Sequence, residues 1–400
     1  MEKTALPRTI NADLLDTCYR EALALLQRNT TPAGILASAR TAKAAGRHYT
    51  SVFGRDASIC ALGMVATGEP DLVQGARAGL LTLGRHQAPN GQIAKYVKPE
   101  IDEADFWYTG CIDATLWWLI AIRCYDRLVP DGRLGEELAP RIASALRWLE
   151  CQEHPVWYLL QQNEASDWAD IMPRSGFVLY TNALWFWVKK LYGHPTARQT
   201  RDYANLLFFP FGNAVPEQRR ARLLMHYIRN RAKRTPFFLS FVNFSIWGEE
   251  VDIFANILAP LTGLADASHG GRIAAALLAM GASRPYPIRV VGTPIEREDP
   301  LWRLYMQRHR QNLPYQYHNG GSWPFVGGFW VMLLARLGKM GEAWRELENL
   351  ALANQVGGWE FNEWFHGQTG EPMGMPGQSW NAALFVLAFR TLRDRKRFIP

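Results

Sequence analysis

The feature that most constrains this chain is a recurring unit. An apolar-periodic stretch of helical length is followed by a polar or Gly/Pro-rich break, and then by another such stretch. Stretches of this kind occupy 12–27, 57–66, 71–83, 114–125, 136–152, 181–191, 197–207, 217–231, 272–280, 325–337, 341–353 and 379–392. Within them apolar residues fall three and four apart, as in ALALLQ, ASALRWL and AAALLAM, the spacing that lays one stripe of a helix against a core. Strand-like alternation is confined to 237–244 and 287–291. The pattern predicts an all-α chain of successive helical hairpins with short β pieces in its loops. No short-period sequence repeat is evident, which favours a closed helical barrel over an open solenoid. No composition shift or Gly/Ser linker divides residues 1–400, so one domain is expected. The Pro- and Arg-rich segment 284–316 reads as a long irregular loop, and such loops tend to carry function.

Composition narrows the class. Hydrophobic residues at 48% supply a large core, and charged residues at 20% fall below the common ~25%, which excludes a disordered tail protein. The 16 tryptophans are the anomaly, because an excess of this rigid amphipathic residue marks a thick core or a carbohydrate-type cleft. The net charge of +7 gathers in Arg219, Arg220, Arg222, Arg229, Arg231, Lys233 and Arg234, and in Arg390, Arg393, Arg395, Lys396 and Arg397. Both runs lie on expected helices and accompany no nucleic-acid-binding motif, so they read as solvated faces. Cys18, Cys60, Cys111, Cys124 and Cys151 form no CxxC pair or metal spacing, and they read as buried reduced thiols of a cytoplasmic protein. The opening MEKTALPRTINADLL has no hydrophobic signal region. The most apolar run, LWWLIAI at 116–122, is far shorter than the ~20 residues of a membrane span.

Two aromatic-framed acid clusters stand out. Asp167 and Asp170 bracket Trp168, and Glu360 and Glu363 lie among Trp359, Asn362, Trp364 and His366. Carboxyl groups supply acid and base, and burial beside indole raises a carboxyl pKa, which suits proton transfer. The flanking Pro and Gly place both clusters in loops, and within each cluster either acid is eligible. Arg55 and Asp56 in FGRDAS, and Asp113 in TGCIDATLWW, sit at helix starts, where capping is the plain explanation. Between them, Gly-Gln-Ile at 91–93, Lys95, Tyr96 and Phe106-Trp107-Tyr108 offer polar groups and aromatic faces. YHNGGSWP at 317–324 adds His318, Asn319 and Trp323 around two glycines that let backbone approach a ligand.

These motifs, in this order, resemble those of the (α/α)6-barrel glycoside hydrolases, specifically the glycogen-debranching (amylo-1,6-glucosidase) type and the neutral/alkaline invertases. FGRDASI at 53–59, IDATLWW at 112–118, DWADI at 167–171 and TNALWF at 181–186 look like debranching-type elements, and YHNGGSWP is closest to the invertases. NEWFHG at 362–367 resembles the element holding the catalytic base, and QSWNAA at 378–383 the closing Gln-x-Trp motif. Ala169 stands where the family has Met, and Asn362 where it has Pro.

The resemblance implies a six-hairpin barrel and an inverting glycosidase acting on a small α-glucoside, with no metal or organic cofactor. Asp170 would be the general acid and Glu363 the general base, their carboxyls roughly 6.5–9.5 Å apart to admit a water. Arg55, Asp56, Asp113, His318, Asn319 and Gln378 would hold hydroxyl groups, with Trp168, Trp323, Trp364 and Trp380 as ring platforms. A sucrose-cleaving invertase is the close alternative. A histidine-based sugar epimerase using His318 and His366, or a non-catalytic sugar-binding protein, are the alternatives of other classes. The expected partner is a small sugar, with no nucleic acid and no membrane.

Overall fold

The computed structural model describes residues 10–212, 215–396 and 398. Fifteen α-helices follow one another among these residues. They are α1 (Ala12–Asn29), α2 (Ala42–Gly46), α3 (Gly54–Thr67), α4 (Pro70–Arg85), α5 (Ile112–Leu128), α6 (Leu134–Glu137), α7 (Ala139–Cys151), α8 (Leu179–Leu191), α9 (Ala197–Phe208), α10 (Arg219–Arg231), α11 (Ile253–Thr262), α12 (Ala267–Ala279), α13 (Pro324–Arg336), α14 (Met340–Trp359) and α15 (Ser379–Arg393). Six of them close a ring: α3 packs on α5, α5 on α8, α8 on α11, α11 on α13, α13 on α15, and α15 back on α3. A second layer lies outside, with α1 against α15, α4 against α3, α7 against α5, α9 against α8, α12 against α11 and α14 against α13. Outer and inner helices alternate along the chain, so each consecutive pair is one hairpin of an (α/α)6 barrel.

The two layers are written differently in sequence. Every residue of α3 and of α11 is buried, and both read as apolar or small almost all round. The outer α9 buries only Thr200, Ala204, Leu207 and Phe208. A helix apolar on all sides belongs inside, and an amphipathic one belongs on the rim. Small residues set the inner spacing. A Cβ on Gly63 of α3 would run into the backbone of Ala383 on α15, so only glycine permits this approach.

The β pieces are short. β3 (Val52–Phe53), β4 (Tyr96–Lys98) and β5 (Glu103–Asp105) form one antiparallel sheet, with Val52 opposite Val97 and Tyr96 opposite Asp105. β6 (Gln161–Gln162), β7 (Gly176–Val178), β8 (Phe241–Asn243) and β9 (Ile246–Trp247) form another, with Phe177 opposite Val242. The pairs β1 (Thr30–Thr31) with β2 (Gly34–Ile35) and β10 (Trp364–Phe365) with β11 (Pro372–Met373) complete the set.

Several sequence expectations are corrected. The alternating segment 287–291 makes only isolated bridges, Arg289 to Ser322 and Val291 to Asp252, because it threads between barrel loops with no neighbouring strand to extend. Only Phe241–Asn243 of the segment 237–244 is a strand. Cys151 is exposed, whereas the other four cysteines are buried, because it closes the amphipathic α7 on its outer face. Segment 284–316 is irregular apart from a 3-10 stretch at Leu304–Arg310. The α10 arginines lie on an exposed face, and Arg390 pairs with Asp394 at 2.5 Å. Arg397 falls outside the described residues, as do residues 1–9 of the N-terminal segment.

Candidate active site

The N-terminal ends of the inner helices share one end of the barrel, where a cavity of about 250 Å³ opens. Arg55 and Asp56 reach it from the first turn of α3, Trp323 from the N-cap of α13 and Trp380 from the first turn of α15. Loops supply Trp168 and Asp170 between β6 and β7, His318 before α13, and Glu363 between α14 and β10. Helix N-termini carry partial positive charge, so acids buried at this end meet favourable dipoles. Asp56 is therefore not a cap; it lies inside the first turn, and Phe53 holds the N-cap position.

Glu363 is held on two sides. Tyr49 donates its hydroxyl to Oε1 at 2.7 Å, and the Met375 N–H donates to Oε2 at 3.0 Å. Gly374 (φ +78°) passes so close to this carboxyl that a side chain there would strike it. Burial pushes Glu363 up from the usual 4.5 to about 7, despite its two donors. The Tyr49 hydroxyl is pushed well up, by burial and then by the Glu363 charge, so it remains a donor. Asp170 is more open. Its nearest cation is Lys95, whose Nζ lies 3.8 Å from Oδ1 and 4.0 Å above the Trp107 ring.

Arg55 sits between two acids, with Nε 3.5 Å from Asp56 and Nη1 3.3 Å from Asp113. Asp113 also accepts from the Tyr180 hydroxyl at 3.0 Å, which in turn accepts from Trp117 Nε1 at 2.8 Å. Asp56 is pushed up to about 6, by burial first and against the pull of Arg55. His318 is driven well below the ordinary histidine range by burial and by the Arg174, Arg55 and Lys95 cations. Its neutral ring stacks on Trp323 at 5.1 Å and 14°. Several shielded polar atoms on cavity-lining residues lack a hydrogen-bond partner, among them Asp56 Oδ2, Trp168 Nε1, His318 Nδ1 and Trp380 Nε1.

Of the residues expected from sequence, Asp170, Glu363, Arg55, Asp56, Trp168, His318, Trp323 and Trp380 line the cavity. Asp113, Asn319, Trp364 and Gln378 do not. Asp113 is fully buried and holds Arg55 from behind. Asn319 spends its side chain on Ile295 and Asn312 backbone groups, pinning the loop before α13. Trp364 packs behind Trp323, ring centroids 6.5 Å apart, and Gln378 is buried at the N-cap of α15. The competitors separate as well. Both Asp167 oxygens are taken, by Gln162 Nε2 at 2.9 Å and the Ala169 N–H at 2.8 Å, and Glu360 is exposed outside the cavity. His366 lies outside too, its Nδ1 accepting from the Gln368 and Thr369 N–H groups; the second histidine of the cavity is the exposed His48.

The expected indole platforms also need revision. Trp168, Trp323 and Trp380 are 1%, 1% and 4% exposed, because they pack into the core beneath the cavity. The half-buried Phe53, Tyr96 and Trp107, carried on or beside the β3–β4–β5 sheet, offer the wider faces. The stretch from Lys95 to Tyr108 signals Tyr96 and Trp107 by its mix of aromatic and polar residues, whereas Phe53 carries no such signal. Tyr49, Arg47 and Tyr317 had no such signal beyond their nearness to FGRD and to HNGG.

Residues 254–394 match the family of alkaline and neutral invertases, a span that holds Glu363 but not Asp170. No curated protein sequence matches the chain. Among solved structures, the mannosylglycerate hydrolase of Thermus thermophilus aligns over 92% of this chain and 99% of its own, at 16% identity and TM-score 0.62. A rhamnosidase from Klebsiella oxytoca with rhamnose bound aligns over 99% of this chain and 66% of its own, at 12% identity and TM-score 0.63. The glucoamylase of Hormoconis resinae aligns over 95% and 73%, at 12% identity and TM-score 0.60. The chain carries the six-hairpin barrel of these glycosidases.

Proposed function

We propose that this six-hairpin glycoside hydrolase cleaves an α-glucosidic bond in a small oligosaccharide or glucoside, with inversion at the anomeric carbon. Asp170 gives its proton to the glycosidic oxygen as the bond breaks. Glu363, as carboxylate, takes a proton from the water that attacks the opposite face of the ring. Exchange with solvent then restores both groups. Arg55 and Asp56 hold ring hydroxyls, and Phe53, Tyr96 and Trp107 cover the apolar side of the sugar.

One observation carries this reading: both carboxyl groups line a single cavity of about 250 Å³. That volume is below the roughly 300–1,000 Å³ typical of ligand pockets and is scaled to one sugar ring. The carboxyl pair supports hydrolysis over epimerisation, since His366 is absent from the cavity and His318 is held neutral. The five free thiols support a reducing compartment, the cytoplasm.

Sucrose is the second reading, favoured by the match of residues 254–394 to the invertases, and sucrose also presents an α-glucosyl bond. The test is a panel of sucrose, isomaltose, maltose, trehalose and glucosylglycerate, followed by proton NMR. The last belongs in it because the Thermus neighbour is a mannosylglycerate hydrolase. The expected first product is β-glucose from one of these α-glucosides. Initial release of α-glucose would refute inversion, and saturable binding without turnover would leave only a sugar-binding role.

A further inference from the structure

A second concavity, of about 640 Å³, lies on the far side of the loops that wall the catalytic cavity. Those loops are laced together. The Ile112 N–H donates to the Ser166 carbonyl at 3.0 Å, the Ser166 hydroxyl to the Thr109 carbonyl at 2.5 Å, and Thr109 Oγ1 and Trp107 Nε1 to the Ala165 carbonyl at 3.1 and 3.3 Å. Thr109 and Ser166 face the second concavity, and Trp107 and Trp168 face the first. The two spaces therefore stand back to back.

The chemistry of the second space is uniform. Its lining holds the amides of Gln152, Gln161, Asn163 and Asn243 beside the Trp148 indole, and no lysine, arginine, histidine or aspartate. Its one carboxylate, Glu164, pairs with Arg303 at 3.1 Å and accepts from the Tyr305 hydroxyl at 2.8 Å. Gln161 and Asn163 are exposed, and no side-chain hydrogen bond ties them to the described residues. Asn243 donates to Ser175 at 3.0 Å, leaving its own carbonyl oxygen to accept. Such a surface has nothing to neutralise a phosphate or carboxylate, and among the described residues no cluster suits a metal ion. It offers paired donors and acceptors without charge, the complement of hydroxyl groups.

Through Gln161, Gly176 and Asn243 this space joins a groove of about 980 Å³ whose walls include Trp157, Phe177 and Trp247, with Arg220 and Arg231 from α10 along one side. Amides followed by ring faces match a glycan chain, which presents hydroxyl rims and apolar C–H faces.

We propose that this amide-lined concavity, continued into the aromatic groove, is a second binding site for a neutral oligosaccharide, separate from the catalytic cavity. The inference does not depend on the reaction proposed above. Calorimetric titration of the Asp170→Asn protein with maltohexaose tests it, that background being chosen to suppress turnover. Saturable binding is expected, weakened about tenfold or more when Gln161→Ala and Asn163→Ala are added. Both positions are exposed, so folding is spared, and Gln161→Trp, which fills the space, should weaken binding equally. In the otherwise native enzyme the same alanine pair should leave kcat/KM for a small aryl glucoside unchanged. Absence of saturable binding, or an affinity that both the alanine pair and Gln161→Trp leave intact, would overturn the proposal.

Discussion

Glu363 combines burial with two fixed donors, and its titration near pH 7 makes its role measurable. The kcat/KM profile reports groups of the free enzyme. If Glu363 is the base, kcat/KM rises as pH passes upward through about 7. A fall through the same pH would make Glu363 the proton donor and exchange the two roles. Asp170→Asn should cost about 10²–10⁴ in kcat on ordinary glucosides, and far less on glucosyl fluoride, whose leaving group needs no proton. Glu363→Gln should be impaired on both. Tyr49→Phe removes a donor that favours the carboxylate, so it should move the acidic limb to higher pH; an unmoved limb would deny Tyr49 that part. Stability follows the same linkage. The native protein holds the Glu363 proton more tightly than the unfolded chain does. Its contribution is full below about 4.5 and lost as pH rises through about 7. The loss is at most roughly 3 kcal/mol. Glu363→Gln should therefore raise Tm relative to the native protein near about pH 8 but not near about pH 4. An equal difference at both would contradict the burial argument.

At the scale of elements, the barrel gathers acids at the starts of inner helices. Asp252 caps α11 through the Ala255 N–H and also receives the buried Arg174 at 2.5 Å. Arg174 ends the turn that carries Asp170, so this pair ties the acid loop to α11. Asp252→Ala should cost about 3 kcal/mol in urea unfolding, because it leaves the buried Arg174 guanidinium only Glu250, 3.5 Å from its Nε, as partner. Asp266→Ala removes the exposed cap of α12 and should cost only about 1 kcal/mol. Equal costs would mean that Arg174 is not held as described. Gly63→Val, which pushes α3 off α15, should destabilise by roughly 1–3 kcal/mol. The long helices were legible in sequence because their apolar spacing persists over several turns. The sheets were not, since strands of two or three residues are shorter than any pattern they would display. The run at 287–291 misled for the opposite reason: buried extended chain alternates like a strand while making only isolated bridges, to Ser322 and Asp252.

For the whole molecule, ring closure is the decisive fact. Each inner helix packs on two others, and one apolar cluster runs from Leu15 to Phe398. We expect the chain to unfold as a single domain, with indole fluorescence and helical circular dichroism lost in one coincident transition; two separated transitions would divide it. By itself the sequence determined the helical class, the hairpin succession and the two acid clusters, because periodicity and local residue chemistry are written along the chain. It could not separate Asp170 from Asp167, or Glu363 from Glu360, on residue type alone, since each pair shares its aromatic setting. Nor could it show that Asp113 and Asn319 serve as struts, or that Tyr49 holds Glu363 across the barrel end. Only the tertiary structure shows which acids line the cavity, Asp170 and Glu363 and not Asp167 or Glu360, and how these struts are placed. Which face of a loop meets the cavity depends on tertiary contacts: Asp113 meets Arg55 between neighbouring inner helices, and Tyr49 reaches Glu363, 314 positions along the chain, only when the barrel closes.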